Sequence, residues 1–577
     1  MAKGAAVRLT ELRVLHGPNL YFTRPAIKLT LAVPGWLDAG EAKVSGAARR
    51  AGLPGRGIRP GEPRSEQRRR FAARTAAHVV RALAEASGVR LAVRARPGER
   101  RDRIVVAYPW RRQALAEALG REVVGVLGTL LTSRRGLDRL VAGAAGRIAA
   151  IDQGPVPSVP VPAIPVVMVT GTNGKTTTVR LVAHLVRAAG LRVAYTSTDG
   201  VYVDGEMVEE GDYSGPAGAA MAMSQPGVEM AVLEVARGGI LLKGIGTLHN
   251  DVAVVTNVSA DHLGLHGIHT LDQLAEVKST ITRITRPHGW DVLNADDPRV
   301  LAMRRLARGR PFLFSLDPDH PAIRAALAEG GRALAPLDRH LTLFLPGPAI
   351  EPLVEVEAVP VTLAGISGPY TQNAMAAAAA ALGAGVSRGD VVEGLRTFVL
   401  DPEANPGRAN LFELEGRVVV VDYAHNEAGM SGLVEIARGL RRPGAEVWLS
   451  YCSAGDRSDG IMHGLGLIAA RGADHVAISE LTRYLRGRRP EDVVERLRAG
   501  ALEGGATDVP LFPDELHALR WMLERSRPGD VVTVTALGQR PEIFEEIRGR
   551  GGRRVGPARC RQLARRARGP APAPARP

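Results

Sequence analysis

A chain of 577 residues, 45% of them apolar, is long enough for three or four domains, each able to bury its own core. Two cysteines, Cys452 and Cys560, exclude a disulfide scaffold or a cysteine-based zinc site and fit a reducing compartment. The formal net charge of +15 favours polyanionic partners, although an arginine- and alanine-rich composition bias is the simpler account of it; aromatics at 4% and no base-reading motif argue against specific nucleic-acid recognition.

Residues 1–150 read as a small α+β domain: strands over 8–15 and 27–32, a Gly/Pro/Arg-rich segment over 52–68, a helix over 69–87, a strand over 103–107 and helices across 111–150. The N-terminus has no signal-peptide core, and no apolar run reaches the ~18 residues that span a bilayer, so the expectation is a cytoplasmic protein without membrane contact. Five prolines between Gly154 and Pro165 mark a stiff linker over 151–165. From 166 to 399, strands at 166–170, 192–196, 229–234, 251–257 and 291–294 alternate with helices, the pattern of a doubly wound α/β domain. A second α/β region covers 400–550, with strands at 417–422, 446–450, 475–479 and 531–535. Past 551 the composition is Gly/Arg/Pro/Ala-rich, which predicts a disordered basic tail over 551–577.

The chemistry starts directly after the first strand of the 166–399 region. Gly171, Thr172, Asn173, Gly174, Lys175, Thr176 and Thr177 form a small-residue loop between a buried strand and a helix carrying Val179, Val182, Ala183 and Val186 on one stripe. Such a loop closes backbone N–H groups on phosphate oxygens, with Lys175 reaching the β/γ-phosphates and Thr176 ligating Mg²⁺. The usual first glycine of this motif is Val169 here. Ligands of doubly wound sheets bind at carboxyl ends of strands. At such ends lie Glu234, a metal candidate, and Asn257-Val-Ser-Ala-Asp261-His262. Lys278 on its own reads as a surface lysine, and Asn294-Ala-Asp-Asp297 as a turn suited to a base or ribose.

These segments resemble the Mur ligases, and more closely the Mur-ligase half of cyanophycin synthetases. The resemblance rests on Gly-Thr-Asn-Gly-Lys-Thr-Thr-Thr (171–178), Thr-Ser-Thr-Asp-Gly (196–200), Gly-Asp-Tyr-Ser-Gly-Pro (211–216), Leu-Glu-Val-Ala-Arg-Gly-Gly-Ile-Leu (233–241) and Asn-Val-Ser-Ala-Asp-His-Leu-Gly (257–264). It continues in Pro-Gly-Arg (406–408), Val-Asp-Tyr-Ala-His-Asn (421–426), Ala-Gly-Asp-Arg-Ser-Asp (454–459) and Tyr-Leu-Arg-Gly-Arg (484–488), and spans residues 160–545. Leu-His-Gly-Pro-Asn-Leu-Tyr (15–21) also looks like the start of a cyanophycin synthetase, with lower specificity.

The resemblance implies an α/β fold with a Mur-ligase-like P-loop central domain, a Rossmann-like C-terminal domain and a small α+β N-terminal domain. It implies ATP and Mg²⁺ as cofactors. Lys175 and Thr176 would serve the triphosphate and metal, and Glu234 and His262 the metal sites. Lys278 would be the family's carbamylated lysine. Asn294 would approach the adenine, Arg408 the γ-phosphate and Asp422 the ribose. Arg237, His425, Asn426, Asp456, Arg457 and Arg486 would face the substrates. The activity implied is ligation of an amino acid to a carboxylate of an acidic peptide or polymer through an acyl phosphate. A poly-γ-glutamate or folylpolyglutamate type of ligase, or a non-catalytic nucleotide-binding subunit, are the competing readings. Full cyanophycin synthetases also carry an ATP-grasp domain. The fifty residues between Trp110 and Pro160 hold none, so one ligation is expected here, with a separate ATP-grasp synthetase and self-association as partners compatible with that reading.

Overall fold

The strand Val166–Thr170, buried along its whole length, is the axis of the central domain. The structure, a computed structural model, describes residues 7–53, 59–261, 263–403 and 405–568. Val166–Thr170 pairs in parallel with Asn250–Val255 on one side and Met230–Glu234 on the other. Three further parallel strands, Thr285–Asn294, Arg310–Phe314 and Arg332–Leu337, extend the sheet past Asn250–Val255, and Val193–Thr196 extends it past Met230–Glu234. Antiparallel hairpins close both flanks: His340–Phe344 with Ile350–Glu355, and Gly200–Val203 with Glu206–Glu210. Among the described residues this makes an eleven-stranded mixed sheet. The parallel core is the doubly wound arrangement expected from the sequence; the hairpins are additions to it.

Both faces of a parallel sheet need covering, and two different devices do it. One face receives the helices Lys175–Ala188 and Gly368–Gly383. Ala374 and Ala376–Ala381 of the second helix are all fully buried, small side chains that let its backbone approach the sheet closely. The other face receives Leu271–Lys278 and Arg237–Leu242, and is finished by the N-terminal domain. That domain is a four-stranded antiparallel sheet, in the order Arg8–Leu15, Ala26–Ala32, Arg103–Pro109, Arg94–Pro97, with the helices Glu66–Ala86, Gln113–Thr132 and Leu137–Ala149 packed on one side. Its other side puts Leu15, Leu20, Tyr21, Phe22 and Ala107 into the core of the central domain. The junction is the Leu-His-Gly-Pro-Asn loop. His16 N–H donates to the Lys243 carbonyl at 2.8 Å and Ile245 N–H donates to the Pro18 carbonyl at 2.7 Å. A Cβ at Gly17 would stand 1.8 Å from the Ile245 carbonyl oxygen, so no other residue fits there.

The C-terminal domain is a seven-stranded sheet with the order Leu511–Phe512, His475–Ser479, Val447–Tyr451, Val531–Thr535, Arg417–Asp422, Asn410–Leu414, Arg553–Arg554. The last two strands pair antiparallel and the others parallel.

The tail departs from the expectation. Disorder from 551 is replaced by the short strand at 553 and the helix Pro557–Arg568. Cys560, Leu563 and Ala564, at helical spacing, are buried beneath the arginines, and Arg559 pairs with Glu413 at 2.6 Å. An arginine-rich composition masked this amphipathic pattern. Residues 569–577 lie outside the described residues.

Asp291, fully buried on the strand Thr285–Asn294, accepts from Thr285 Oγ1 and from Gly309 N–H, both at 2.7 Å. Burial pushes its carboxyl up to about 7. The folded state therefore holds an extra proton between pH ~4 and ~7, and stability falls as pH rises through that window. The stability of the wild type relative to Asp291→Asn, from denaturant titrations, should drop by about 2–4 kcal/mol between pH 4.5 and 7.5 and stay level above it. A pH-independent difference would show that Asp291 is ionised throughout.

Candidate functional site

The phosphate-loop candidate leaves Thr170 and turns into the helix Lys175–Ala188. Two of its glycines are obligatory on steric grounds. Gly171 has φ +156° and a Cβ there would meet Thr256 Oγ1 at 1.8 Å; Gly174 has φ +83° and a Cβ there would meet Asn373 Oδ1 at 2.2 Å. The loop is held by the segment that follows the neighbouring strand. Thr172 N–H donates to the Asn257 carbonyl at 3.0 Å, and Asn173 N–H to Asn257 Oδ1 at 2.9 Å. Thr256 Oγ1 and Asn257 Nδ2 both donate to the Asn173 carbonyl, at 2.6 and 3.1 Å.

Two lysines converge on the loop. Lys175 Nζ donates to the Thr172 carbonyl at 2.9 Å, and Lys278 Nζ to the Gly171 carbonyl at 2.5 Å. Lys278 ends the helix Leu271–Lys278 and is 3% exposed, so it is not the surface lysine that sequence alone suggests. Burial, reinforced by the Lys175 charge, pushes its ammonium well below the usual lysine range, against the opposing pull of Asp261 and Glu234. Glu234 ends its strand as a fully buried carboxyl. Its Oε2 accepts from Thr176 Oγ1 at 2.9 Å, while Oε1 is buried with no hydrogen-bond partner among the described residues. Desolvation raises its carboxyl above the ordinary range, with Lys175, Thr176 and Arg408 pulling the other way.

The C-terminal domain closes the site from above. Asn426 and Asn173 exchange side-chain hydrogen bonds at 2.9 and 3.1 Å. Asp422, desolvated and raised above the usual carboxylate range, accepts from Ala409 N–H at 2.8 Å and from Tyr370 of the central domain at 3.4 Å. Arg408 lies over the Tyr423 ring, 5.1 Å from its centroid. Arg457 pairs with Asp261 at 3.4 Å and with Asp456 at 3.2 Å, and His425 lies 3.9 Å from Asp261. Burial lowers the Arg237 guanidinium, with Asp261 opposing and Arg457 reinforcing the shift.

The expected residues thus fall into three groups. In the first, Glu234 bonds to Thr176, Lys278 to Gly171 and Asn426 to Asn173, while His425 and Arg457 lie beside Asp261, with Asp456 on Arg457 and Asp422 on Ala409 of the segment that carries Arg408. Asn294 also braces the strand end: its Nδ2 donates to the Thr256 carbonyl at 2.8 Å and its Oδ1 accepts from Asp296 N–H at 3.0 Å. Arg486 is exposed and lies over Tyr484, on a loop pinned by the bond from Gly455 N–H to the Tyr484 carbonyl. His262 lies outside the described residues. Sequence reasoning missed Arg180, 6% exposed, whose guanidinium holds Asp199 at 2.7 Å and Asn405 at 3.5 Å. The signal was present: Arg180 falls on the inward stripe of the loop's helix with Thr176 and Ala183.

The donor set fits a nucleotide polyphosphate with a divalent cation. The glycine cradle leaves room only for backbone, Lys175 supplies a cation, and the unpartnered Glu234 oxygen beside Thr176 Oγ1 is the hard-oxygen environment such an ion takes. Among the described residues no group of three His, Cys, Asp or Glu side chains forms a self-sufficient metal cage, so phosphate oxygens and water would complete the coordination.

The same residues fall within regions shared with known proteins. Residues 169–381 match the Mur ligase middle domain, and residues 407–538 the Mur ligase glutamate ligase domain. The cyanophycin synthetase of Crocosphaera subtropica is 39% identical over 370 residues, covering 64% of this chain and 42% of that one. The chain thus spans about two fifths of the length of the cyanophycin synthetases it matches. A UDP-N-acetylmuramyl-tripeptide synthetase of Deinococcus radiodurans is 30% identical over 393 residues, covering 66% and 74%. The crystal structure of MurF from Acinetobacter baumannii is similar over 64% of this chain and 72% of that one, at 22% identity and a TM-score of 0.46. Among the described residues no helix is long and apolar enough to cross a membrane.

Gly174→Ala tests the cradle. Gly444 has a similar φ, +79°, with nothing within 4 Å of where a methyl group would stand, so Gly444→Ala isolates the backbone cost of ~1 kcal/mol. Gly174→Ala should cost ~1–3 kcal/mol more in chemical denaturation, because Asn373 must also move. Equal losses would mean that the loop has slack.

Proposed function

The chain belongs to the Mur ligase family, and on that premise we propose that it is an ATP-dependent ligase joining an amino acid to a carboxylate of an acidic peptide or polymer. The observation that supports the reading is that Glu234 and Lys278 both bond to the Gly171–Thr177 loop, while Asn426, four residues past Asp422, pairs with Asn173 of the same loop.

The energetic problem in amide formation is activation of a carboxylate. In this reading the acceptor carboxylate takes the terminal phosphoryl group of ATP, and the amine of the incoming amino acid then displaces phosphate from the acyl phosphate. The backbone N–H groups of the loop, Lys175 and Arg408 would stabilise charge on the transferring group in a site shielded from water. A divalent cation held at Glu234 and Thr176, with His262 a further candidate ligand, would supply electrostatic stabilisation of the phosphate oxygens. Lys278 has the chemistry for carbamylation: burial shifts its amine toward the neutral, nucleophilic form that adds CO₂, and the resulting carboxylate would face a metal as an anion. Asp456, Arg457, His425 and Arg237 line the cleft beyond Asp261 and would receive the charged groups of the two substrates. A net charge of +15 supports an acidic acceptor. The one nucleotide loop among the described residues supports a reading of one ligation at this site.

Release of ADP from the purified protein, with ATP, Mg²⁺, a panel of amino acids and short acidic peptides, tests the activity, and product mass identifies the bond formed. One addition per acceptor carboxylate is expected; alternating two-residue growth would contradict a single ligation. Lys175→Ala should lower turnover by ~10²–10³ with the fold retained. Absence of ADP release with every pair would leave nucleotide binding alone and favour a non-catalytic role.

Lys278→Ala should also be inactive, and short carboxylic acids should restore part of the rate. Protein exchanged into ¹³C-bicarbonate should give a carbamate carbon resonance that Lys278→Ala lacks. Full activity of that variant would remove Lys278 from the reaction.

A further inference from the structure

Asn173 and Asn426 are 253 positions apart and lie on different domains, yet their side-chain amides pair face to face. Asn426 Nδ2 donates to Asn173 Oδ1 at 2.9 Å and Asn173 Nδ2 donates to Asn426 Oδ1 at 3.1 Å. Two reciprocal bonds are the fullest pairing that two carboxamides can make. Neither partner is free to follow the other. The Asn173 backbone is clamped by Asn257 and Thr256 through its N–H and its carbonyl. Asn426 Oδ1 also accepts from Gly429 N–H at 2.9 Å, which makes Asn426 the N-cap of the helix Glu427–Leu440. Asn426 is 1% exposed, so breaking the pair without admitting water strands buried polar atoms.

Among the described residues, other contacts between the two domains near this pair are longer. Tyr370–Asp422 and Arg457–Asp261 both measure 3.4 Å, and His425–Asp261 measures 3.9 Å. The amide pair is also the contact that involves the loop itself. Asn173 stands beside Gly174, whose backbone N–H would face phosphate, while Asn426 lies four residues past Asp422, the last residue of its strand.

We propose that Asn173 and Asn426 form an amide clasp that sets the C-terminal domain in register on the phosphate loop, so that both are positioning residues which bring Arg408 and Asp422 to the nucleotide. This rests on the ligase reading for its catalytic consequence and on geometry alone for its structural one. A clasp of this kind links loop conformation to domain docking: whatever orders the loop backbone orders the Asn173 amide, and the amide is what the C-terminal domain grips. Its loss should therefore slow turnover while leaving the loop's own affinity for nucleotide nearly intact.

The test uses Asn173→Ala, Asn426→Ser and the double variant in the full chain. Serine at 426 keeps a capping oxygen for the helix but is too short to reach Asn173; Asn173→Ser replaces Asn173→Ala if the latter fails to fold. Spin labels at Leu306→Cys in the central domain and Leu502→Cys in the C-terminal domain, both exposed positions, report the interdomain distance, the two native cysteines being buried. Each single variant should broaden the distance distribution and lower kcat by ~10–100-fold with the KM for ATP within ~3-fold, and the double variant should be no worse than the singles. Losses confined to KM, losses that multiply in the double variant, or an unchanged distance distribution would each overturn the clasp. Should the wild type release no ADP, the ligase reading fails, while the distance distributions still decide the clasp.

Discussion

The register between Val166–Thr170 and Asn250–Val255 is the constraint on which the site depends. Thr170 lies opposite Val255, so the residues that follow each strand emerge side by side. Thr256, Asn257 and Ser259 can then bond to the loop that begins at Gly171. Loop carbonyls are thereby committed inward, to Thr256, Asn257, Lys175 and Lys278. A slip of one residue would reverse the faces of the strand and separate these partners. The close approach of Gly171 to Thr256 follows from the same register, and it explains why this position tolerates no side chain.

Charge balance around the loop is unusual for a protein interior. Lys278 and Glu234 are both nearly inaccessible to solvent, and each is driven by burial toward its neutral form. Interiors seldom keep such groups for stability, since an apolar pair of similar volume commonly serves as well or better. Their retention in one cleft, at the ends of two different elements, therefore points to chemistry rather than to folding. Arg180 has a different role. Its ties to Asp199 and to Asn405 connect the loop's helix with the segment that leads into the C-terminal domain.

Legibility followed locality. Five parallel strands of the central sheet were readable because each reads as a short apolar run ending in a polar residue, Glu234 among these endings, whereas Arg310–Phe314 and Arg332–Leu337, which end in apolar residues, were not. The flanking hairpins were not readable: Glu206–Glu210 is exposed throughout, so no burial pattern marks it as a strand. Lys278 looked like a surface lysine because its short helix shows nothing of the loop above it; only the family resemblance singled it out. Asn294 was ambiguous because its turn sequence suits a ligand as well as it suits a brace, and its bond to the Thr256 carbonyl has no signature in the local sequence. Tyr370 acts through a partner 52 positions away, which no local pattern encodes, and for Arg180 the helix pattern marks the inward position but not its partner Asn405, 225 positions away. In the tail, three buried side chains outweighed a composition that suggested disorder.

The helix Pro557–Arg568 has a mechanical consequence. It packs against the helix Glu427–Leu440 of the C-terminal domain, yet its last residue, Arg568, reaches the central domain, bonding Glu357 at 2.8 Å and the Ala364 carbonyl at 3.0 Å. The two domains are therefore tied by the segment around Asn405 and again by the tail. A body hinged at one point can swing in any direction; one held at two points turns about the line that joins them. The tail thus gives the C-terminal domain a second point of attachment to the central domain, away from the phosphate loop.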